Sequence, residues 1–390
     1  MKLPVRLSPD DFVVEEALRL QPGSAGAYAI FRVTKRLLTT PELQMLLAQK
    51  LGLPPRALAF PALKDKRAVT TQHFSIRGRQ PSEIKGDGYE AKLIGYMARP
   101  LEPTDLLGNR FTITMRQIDA KEAQALAQRL HELESEGLPN YFDEQRFGSL
   151  TEKGTFIGKA ILQGDAEGAL RAYLAEPSPR DPPDIRSLKA FASDHWSGWP
   201  AIFEQAPRSN HRSVLTFLKD HPADFRKALN LITPRLLPLY LAAYQSFLWN
   251  RIACLYLKKR LEAARAPTAY LQIAKEQLLI YKNAPEAVIQ RLRGVQVSLL
   301  HHRAVFSAPD IRAIVEEVLT VEGLELNDFK ARLLKRAYLP KSSRALLVFP
   351  QEAQVQLEKA PDRNKTDLRL SFFLPPGSYA TLVLKALAAE

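Results

Sequence analysis

Hydrophobic spacing changes character twice along the chain. In the first part apolar residues recur with a period of two. Phe12-Val13-Val14 and Ala27-Tyr28-Ala29-Ile30-Phe31-Arg32-Val33 read as strands, and Phe111, Ile113 and Met115 alternate with Thr112, Thr114 and Arg116, the mark of a strand with one buried face. Two helices interrupt these strands. The first follows Thr40-Pro41, carries Leu43, Leu46 and Leu47, and stops at Gly52. The second opens at the capping pair Asp119 and Glu122, sets Ala123, Leu126, Ala127, Leu130 and Leu133 on one face, and stops at Gly137. From 154 to 340 the spacing is mostly helical, with segments predicted near 212–230, 236–264, 269–279 and 309–320. The proline-rich run Glu176-Pro177-Ser178-Pro179-Arg180-Asp181-Pro182-Pro183 is a surface loop. Strand spacing returns at Ala345-Leu346-Leu347-Val348-Phe349 and at Leu368, Leu370 and Phe372, before a last helix from Ser378.

A β-rich start, a helical middle and a β-rich end predict one mixed-sheet domain, residues 1–153 and 341–390, interrupted by a helical insertion at 154–340. The C-terminal piece of two strands and a helix is too small to be stable alone, so its strands are expected to complete the first domain's sheet.

Composition narrows the class. Hydrophobic residues make up 46% and charged residues 25% of the 390, as in ordinary globular proteins. Cys254 is the one cysteine; it supports neither an internal disulfide nor a cysteine zinc site and fits a cytoplasmic protein. The N-terminus reaches Asp10-Asp11 before any apolar run develops, so no signal peptide is expected. Pro238, Gln245, Asn250 and Arg251 break the most apolar stretch, Leu236 to Leu257, which therefore reads as a buried helix and not a membrane span.

The net charge is +13, and residues 151–340 hold most of it, with 27 basic against 19 acidic side chains. That excess suits either a polyanionic partner or a solvated basic surface. Lys258-Lys259-Arg260, at the end of the long apolar helix, are the first candidates for phosphate contact; the alternative is a solvated helix end.

Two loops concentrate the chemistry. Phe60-Pro61-Ala62-Leu63-Lys64-Asp65-Lys66-Arg67 sets one carboxylate among three cations, which favour the ionised form of an aspartate as nucleophile or base. The bland alternative is a solvated turn. Leu138-Pro139-Asn140-Tyr141-Phe142-Asp143-Glu144-Gln145-Arg146-Phe147-Gly148 mixes three aromatics with Asn, Gln and Arg, which suits an extruded nucleotide. Its alternative is an aromatic-anchored turn packed under a sheet.

Taken together, the loops carry a resemblance. With Ser8-Pro9-Asp10-Asp11-Phe12, Gly108-Asn109-Arg110-Phe111, Ala243-Tyr244-Gln245-Ser246-Phe247-Leu248-Trp249-Asn250 and Phe372-Phe373-Leu374-Pro375-Pro376-Gly377, they occur in the order seen in the TruD family of pseudouridine synthases, which this chain resembles over nearly its whole length. The resemblance implies an α+β fold: a catalytic domain on a mixed, largely antiparallel sheet, interrupted by the mostly helical TRUD domain. It implies isomerisation of a uridine in RNA to pseudouridine, usually uridine 13 in the D-arm of tRNA. It implies no metal, nucleotide or redox cofactor, no membrane partner, and a monomer.

Position by position, Asp65 matches the family's catalytic aspartate and Lys64 the adjoining basic residue that holds or orients it. Phe142 matches the aromatic that stacks on the target base, Asn140 a base or sugar contact, and Phe12 and Phe372 further walls of the pocket. Arg6, Gln72 and Arg146 are candidates for phosphate binding or loop bracing. Pro61-Ala62 and Asp143 depart from the family's pattern, which has glycine before the Lys-Asp pair and after the stacking Phe. Two other readings stay open, the same chemistry on ribosomal or messenger RNA, and a catalytically silent RNA-binding or RNA-folding protein.

Overall fold

A computed structural model describes residues 8–306, 308–360 and 365–389. The fold is α+β. The chain forms two compact units, Met1–Leu138 with Val348–Glu390, and Pro139–Leu347. The crossings thus fall at 138 and 347 and not at 153 and 340, because the loop after Gly137 is tied to the second unit's own backbone. Asn140 N–H donates to the Leu346 carbonyl, 2.9 Å away.

The first unit is built on nine strands: β1 Phe12–Leu18, β2 Tyr28–Arg36, β3 Leu58–Ala59, β4 Val69–Arg77, β5 Glu83–Gly86, β6 Tyr89–Met97, β7 Leu106–Asp119, β8 Gln351–Lys359 and β9 Lys365–Leu374. Their order is β8-β9-β7-β1-β4-β2-β6-β5, with β3 on β4. The C-terminal strands therefore extend the N-terminal sheet. Only β1 and β4 run parallel.

Residues opposite one another in neighbouring strands point to the same side, so the register writes rows across this sheet. One row runs Lys35, Thr70, Val14, Phe111, Phe372. Along β2 the same face carries Ala29, Phe31 and Val33, all buried. The helix Thr40–Leu51 covers that end, packing Leu43, Leu47 and Ala48 in one cluster with Phe31, Val33, Phe74 and Ile76. Each Leu, Ile, Val or Phe side chain among these contributes about 1.5–3 kcal/mol when fully buried. A capping box starts the helix: Thr39 accepts from the Glu42 N–H at 3.2 Å, and Glu42 accepts from the Thr39 N–H at 2.6 Å.

In the second unit the helix Leu237–Ala263 is buried on most of its sides, as expected of a helix apolar all round. The predicted helix near 269–279 is instead a hairpin, Thr268–Ile273 with Glu276–Tyr281. Its two turn residues, Ala274 and Lys275, both take positive φ, 50° and 67°, the conformation that matches the right-handed strand twist. Glu144 braces the turn by accepting the Ala274 N–H at 2.9 Å. The segment expected at 212–230 is two helices, His211–Asp220 and Phe225–Leu229.

Gly137, which ends the helix Ala120–Glu136, has φ 66° and ψ −176°, a region open almost only to glycine. A Cβ there would lie 2.7 Å from the Phe349 ring. Gly137→Ala is expected to lower the unfolding free energy by about 2–4 kcal/mol, measured by chemical denaturation of the full chain.

Candidate active site

The Lys64-Asp65 loop lies over the polar end of the sheet rows, and three anchors hold it. First, Lys64 N–H donates to Thr40 Oγ1 at 2.9 Å, and Thr40 Oγ1 donates onward to Gln72 Oε1 at 3.0 Å. Second, the Lys64 ammonium turns inward to Glu16 Oε2 at 2.8 Å and Asn109 Oδ1 at 2.8 Å. Third, Lys35 Nζ donates to the Asp65 carbonyl at 2.6 Å. One residue step of backbone is thereby fixed at an amide, a side chain and a carbonyl.

Glu16 is the centre of this network. Its side chain is fully buried. The other carboxylate oxygen accepts from the His73 backbone N–H at 3.0 Å and lies 3.1 Å from His73 Nδ1. Burial acts to raise its pKa, but the hydrogen bond from His73 and the Lys64 ammonium outweigh it, and the carboxyl stays below its ordinary range. Lys35 is the complement. It is 1% exposed, and desolvation pulls its pKa down to about 8 against the attraction of Asp65.

The flanking cations are not equivalent. Lys66 pairs with Glu42 at 3.1 Å. Hydrogen bonds from the Thr39 backbone and side chain, with Lys66, hold the Glu42 carboxyl at about 2. Arg67 is exposed. Of the cations flanking Asp65 in sequence, then, Lys64 and Lys66 are directed to other carboxylates, while Lys35, thirty residues away in sequence, bonds the aspartate's own backbone. Phe12 and Phe372 are 2% and 0% exposed and both contact the Phe111 ring, at 6.2 and 5.8 Å. Gln72 is fully buried, where it meets Thr40 and not solvent. Arg6 lies outside the described residues.

The second loop is organised within its own unit. Asn250, on the long helix, accepts the Phe142 N–H and donates to the Phe142 carbonyl, both at 2.8 Å, so one amide side chain serves both backbone groups. The Phe142 ring meets Trp249 edge-on at 5.7 Å, and the Arg344 guanidinium lies 4.3 Å from its centre. Arg344 also donates to the Asn140 carbonyl at 2.6 Å, to Asn140 Oδ1 at 2.7 Å and to the Tyr141 carbonyl at 3.1 Å. Asn140 Nδ2 donates to the Ala345 carbonyl at 3.1 Å. Arg146 Nε donates to Ser246 Oγ at 2.9 Å. Lys258, Lys259 and Arg260 each face a carboxylate, Glu262, Glu317 and Asp310, so the run is not a free cationic patch.

Lys35 and Glu16 in the first unit, and Asn250 and Arg344 in the second, are residues to which the sequence alone assigns no role. Lys35 continues the period-two series Ala29, Phe31, Val33, which places it on the buried face. Asn250 interrupts an apolar helix, and a buried amide requires partners. Among the described residues, no helix is long and apolar enough to cross a membrane, and no group of three or more His, Cys, Asp or Glu is placed to hold a metal ion.

The titration of Lys35 has a measurable consequence. A lysine whose folded pKa lies near 8 has shed its proton over a pH range where the unfolded chain still holds it. Its contribution to stability therefore rises with pH, up to its unfolded value of about 10.4. The unfolding free energy of the parent relative to Lys35→Met is expected to climb across that window in denaturation series; a difference flat in pH would contradict the buried ammonium.

Comparison with known proteins agrees with the geometry. The family described as tRNA pseudouridine synthase D (TruD) matches residues 2–387. The probable tRNA pseudouridine synthase D 2 of Methanocaldococcus jannaschii is 32% identical over 395 residues, covering 99% of this chain and 91% of that one. The tRNA pseudouridine synthase D of Aquifex aeolicus is 27% identical, covering 99% and 98%. A crystal structure of the putative enzyme from Methanosarcina mazei superposes with a TM-score of 0.74 at 26% identity, covering 99% of this chain and 93% of that one. The chain belongs to the TruD family of pseudouridine synthases.

Proposed function

We propose that this enzyme isomerises uridine 13 in the D-arm of tRNA, with Asp65 as its catalytic carboxylate. The observation that carries the reading is the three-point anchoring of the Lys64-Asp65 backbone by Thr40, by the buried Glu16–Lys64 pair and by Lys35. A solvated turn has no use for two buried ammonium groups, each of which costs several kcal/mol to desolvate. Preorganising a nucleophile or base has that use.

In the reaction the N1–C1′ bond breaks and a C5–C1′ bond forms, while C5 loses a proton and N1 gains one. Reactant and product are isomers, so the carboxylate acts as nucleophile or base and is regenerated. Lys64 is a positioning residue in this reading, since its ammonium is directed to Glu16 and Asn109. Phe142, 8% exposed, is the aromatic that stacks on the extruded base in this reading, and Arg344 and Asn250 hold its ring and backbone. Arg146 supplies charge for phosphate.

Two variants test this together on a tRNA transcript, with pseudouridine mapped at nucleotide resolution. Asp65→Asn is expected to abolish product at position 13 while leaving RNA affinity within a few-fold of the parent. Phe142→Leu keeps the apolar volume but loses the aromatic face, worth about 1–3 kcal/mol per stacked base; it should cut turnover roughly five- to a hundredfold with a melting temperature near the parent's. Near-parental turnover in Asp65→Asn removes Asp65 from the mechanism. Activity in Phe142→Leu that merely tracks its stability makes that ring structural.

A further inference from the structure

The inserted unit contains a cavity of about 850 Å³, within the size range of small-molecule sites, about 300–1,000 Å³. One wall is aromatic. His211 lies flat on Tyr173, ring centres 4.6 Å apart and planes 13° apart, and Tyr240 meets Tyr173 at 6.2 Å. Burial, with the ammonium of Lys189, holds the His211 imidazole down to about 4, so the stack is uncharged at neutral pH.

The opposite chemistry is cationic. Arg146, Arg180, Lys189 and Arg208 line the cavity against the single carboxylate of Asp181. Lys189 is committed to Asp181 at 2.8 Å. Arg180 is held by the Gln145 and Glu144 carbonyls at 3.2 and 3.4 Å. It lies across Gly148, where a Cβ would come within 2.8 Å of a guanidinium nitrogen, and two carbonyls leave part of its five-donor fork unused. Arg208 is exposed and makes no ion pair or hydrogen bond among the described residues.

A third feature points to an occupant. Tyr173 is 3% exposed and its hydroxyl has no hydrogen-bond partner among the described residues, an omission that costs about 1–3 kcal/mol unless something fills it. A neutral aromatic wall, an unpartnered buried O–H and a free guanidinium form a set that matches a flat heterocyclic base bearing a phosphate.

We propose that this cavity binds an unstacked nucleotide, its base against the His211–Tyr240 wall with Tyr173 donating to a ring acceptor, and its phosphate reached by Arg208 and Arg180. The loop that carries Phe142 forms part of the cavity through Gln145, Arg146 and Gly148. The occupant is then a second nucleotide of the substrate RNA, which rests on the proposed function, or a free nucleotide, which does not.

Isothermal titration of the full chain with UMP, AMP, uridine and inorganic phosphate decides the matter. UMP or AMP is expected to bind saturably and at least about fivefold more tightly than uridine or phosphate. Arg208→Gln, at an exposed position, and Tyr173→Phe, which keeps the ring, should each weaken that binding by about tenfold. Displacement of the nucleotide by a tRNA transcript identifies RNA as the source, and its retention identifies a free nucleotide; either result supports the site. Absence of saturable binding to the parent, or binding untouched by both variants, overturns it. Pseudouridine formation by the same samples is read separately, so a chain that binds UMP yet modifies no tRNA keeps this site and loses the proposed function, and the reverse result does the opposite.

Discussion

A carboxylate with no exposed surface must have its charge met inside the protein, and Glu16 meets it with Lys64, His73 and the surrounding strand backbone. Most of the site's geometry follows from that requirement. The register of β1 against β7 brings Asn109 opposite Glu16, so the same ammonium satisfies both. With its charge committed there, Lys64 is fixed in a loop whose next three residues, Asp65, Lys66 and Arg67, are all charged. Removing one partner of such a buried pair costs about 3–5 kcal/mol, because the other is left charged and unpaired. The site is therefore coupled to the fold: what holds the sheet's polar end together also places Asp65.

The inserted unit solves a related problem with one guanidinium and otherwise neutral groups. The Asn140–Phe142 backbone leaves the end of the first unit with its amides and carbonyls unpaired by any long strand. Asn250, Arg344 and the Leu346 carbonyl supply the missing partners. Arg344 does so while lying on the Phe142 ring, so one guanidinium fixes both the main chain and the aromatic plane. Charge is used sparingly here, and the conformation depends on matching single donors to single acceptors.

Much of this was legible in the sequence. The period-two runs gave β1, β2 and β7, the Thr40-Pro41 start and the Asp119–Glu122 capping pair gave the helices Thr40–Leu51 and Ala120–Glu136, and the alternation of Leu368, Leu370 and Phe372 gave β9, whereas the strand expected at 345–349 is divided between two short pairings outside the nine-stranded sheet and β8 was not anticipated. What escaped has physical reasons. Ala269–Leu279 contains good helix formers and no Asn-Gly or Gly at its turn, yet Leu271 and Ile273 alternate inward and Glu144 stabilises the left-handed Ala274. Tertiary contact overrode propensity. The unit boundary was misplaced because the Asn140–Gly148 loop has the composition of the first part but finds its hydrogen bonds in the second. Lys35 was invisible because a lysine in a strand reads as solvent-facing, although its place in the Ala29, Phe31, Val33 series put it inside. Lys258-Lys259-Arg260 looked like a phosphate patch because the carboxylates that face them include Asp310 and Glu317, fifty or more residues away in sequence.

The central claim is that the buried Glu16–Lys64 pair acts on the reaction as a unit, by placing Asp65. A double-mutant cycle on the single-turnover rate of pseudouridine formation tests it, using Glu16→Gln, Lys64→Met and the combination, with each variant's folding checked by its melting curve. Residues that act through one shared interaction are non-additive, with coupling of about 0.5–3 kcal/mol. The account predicts that the double variant is no slower than the worse single variant by more than about threefold. Losses that multiply, as for two independent residues, would contradict it.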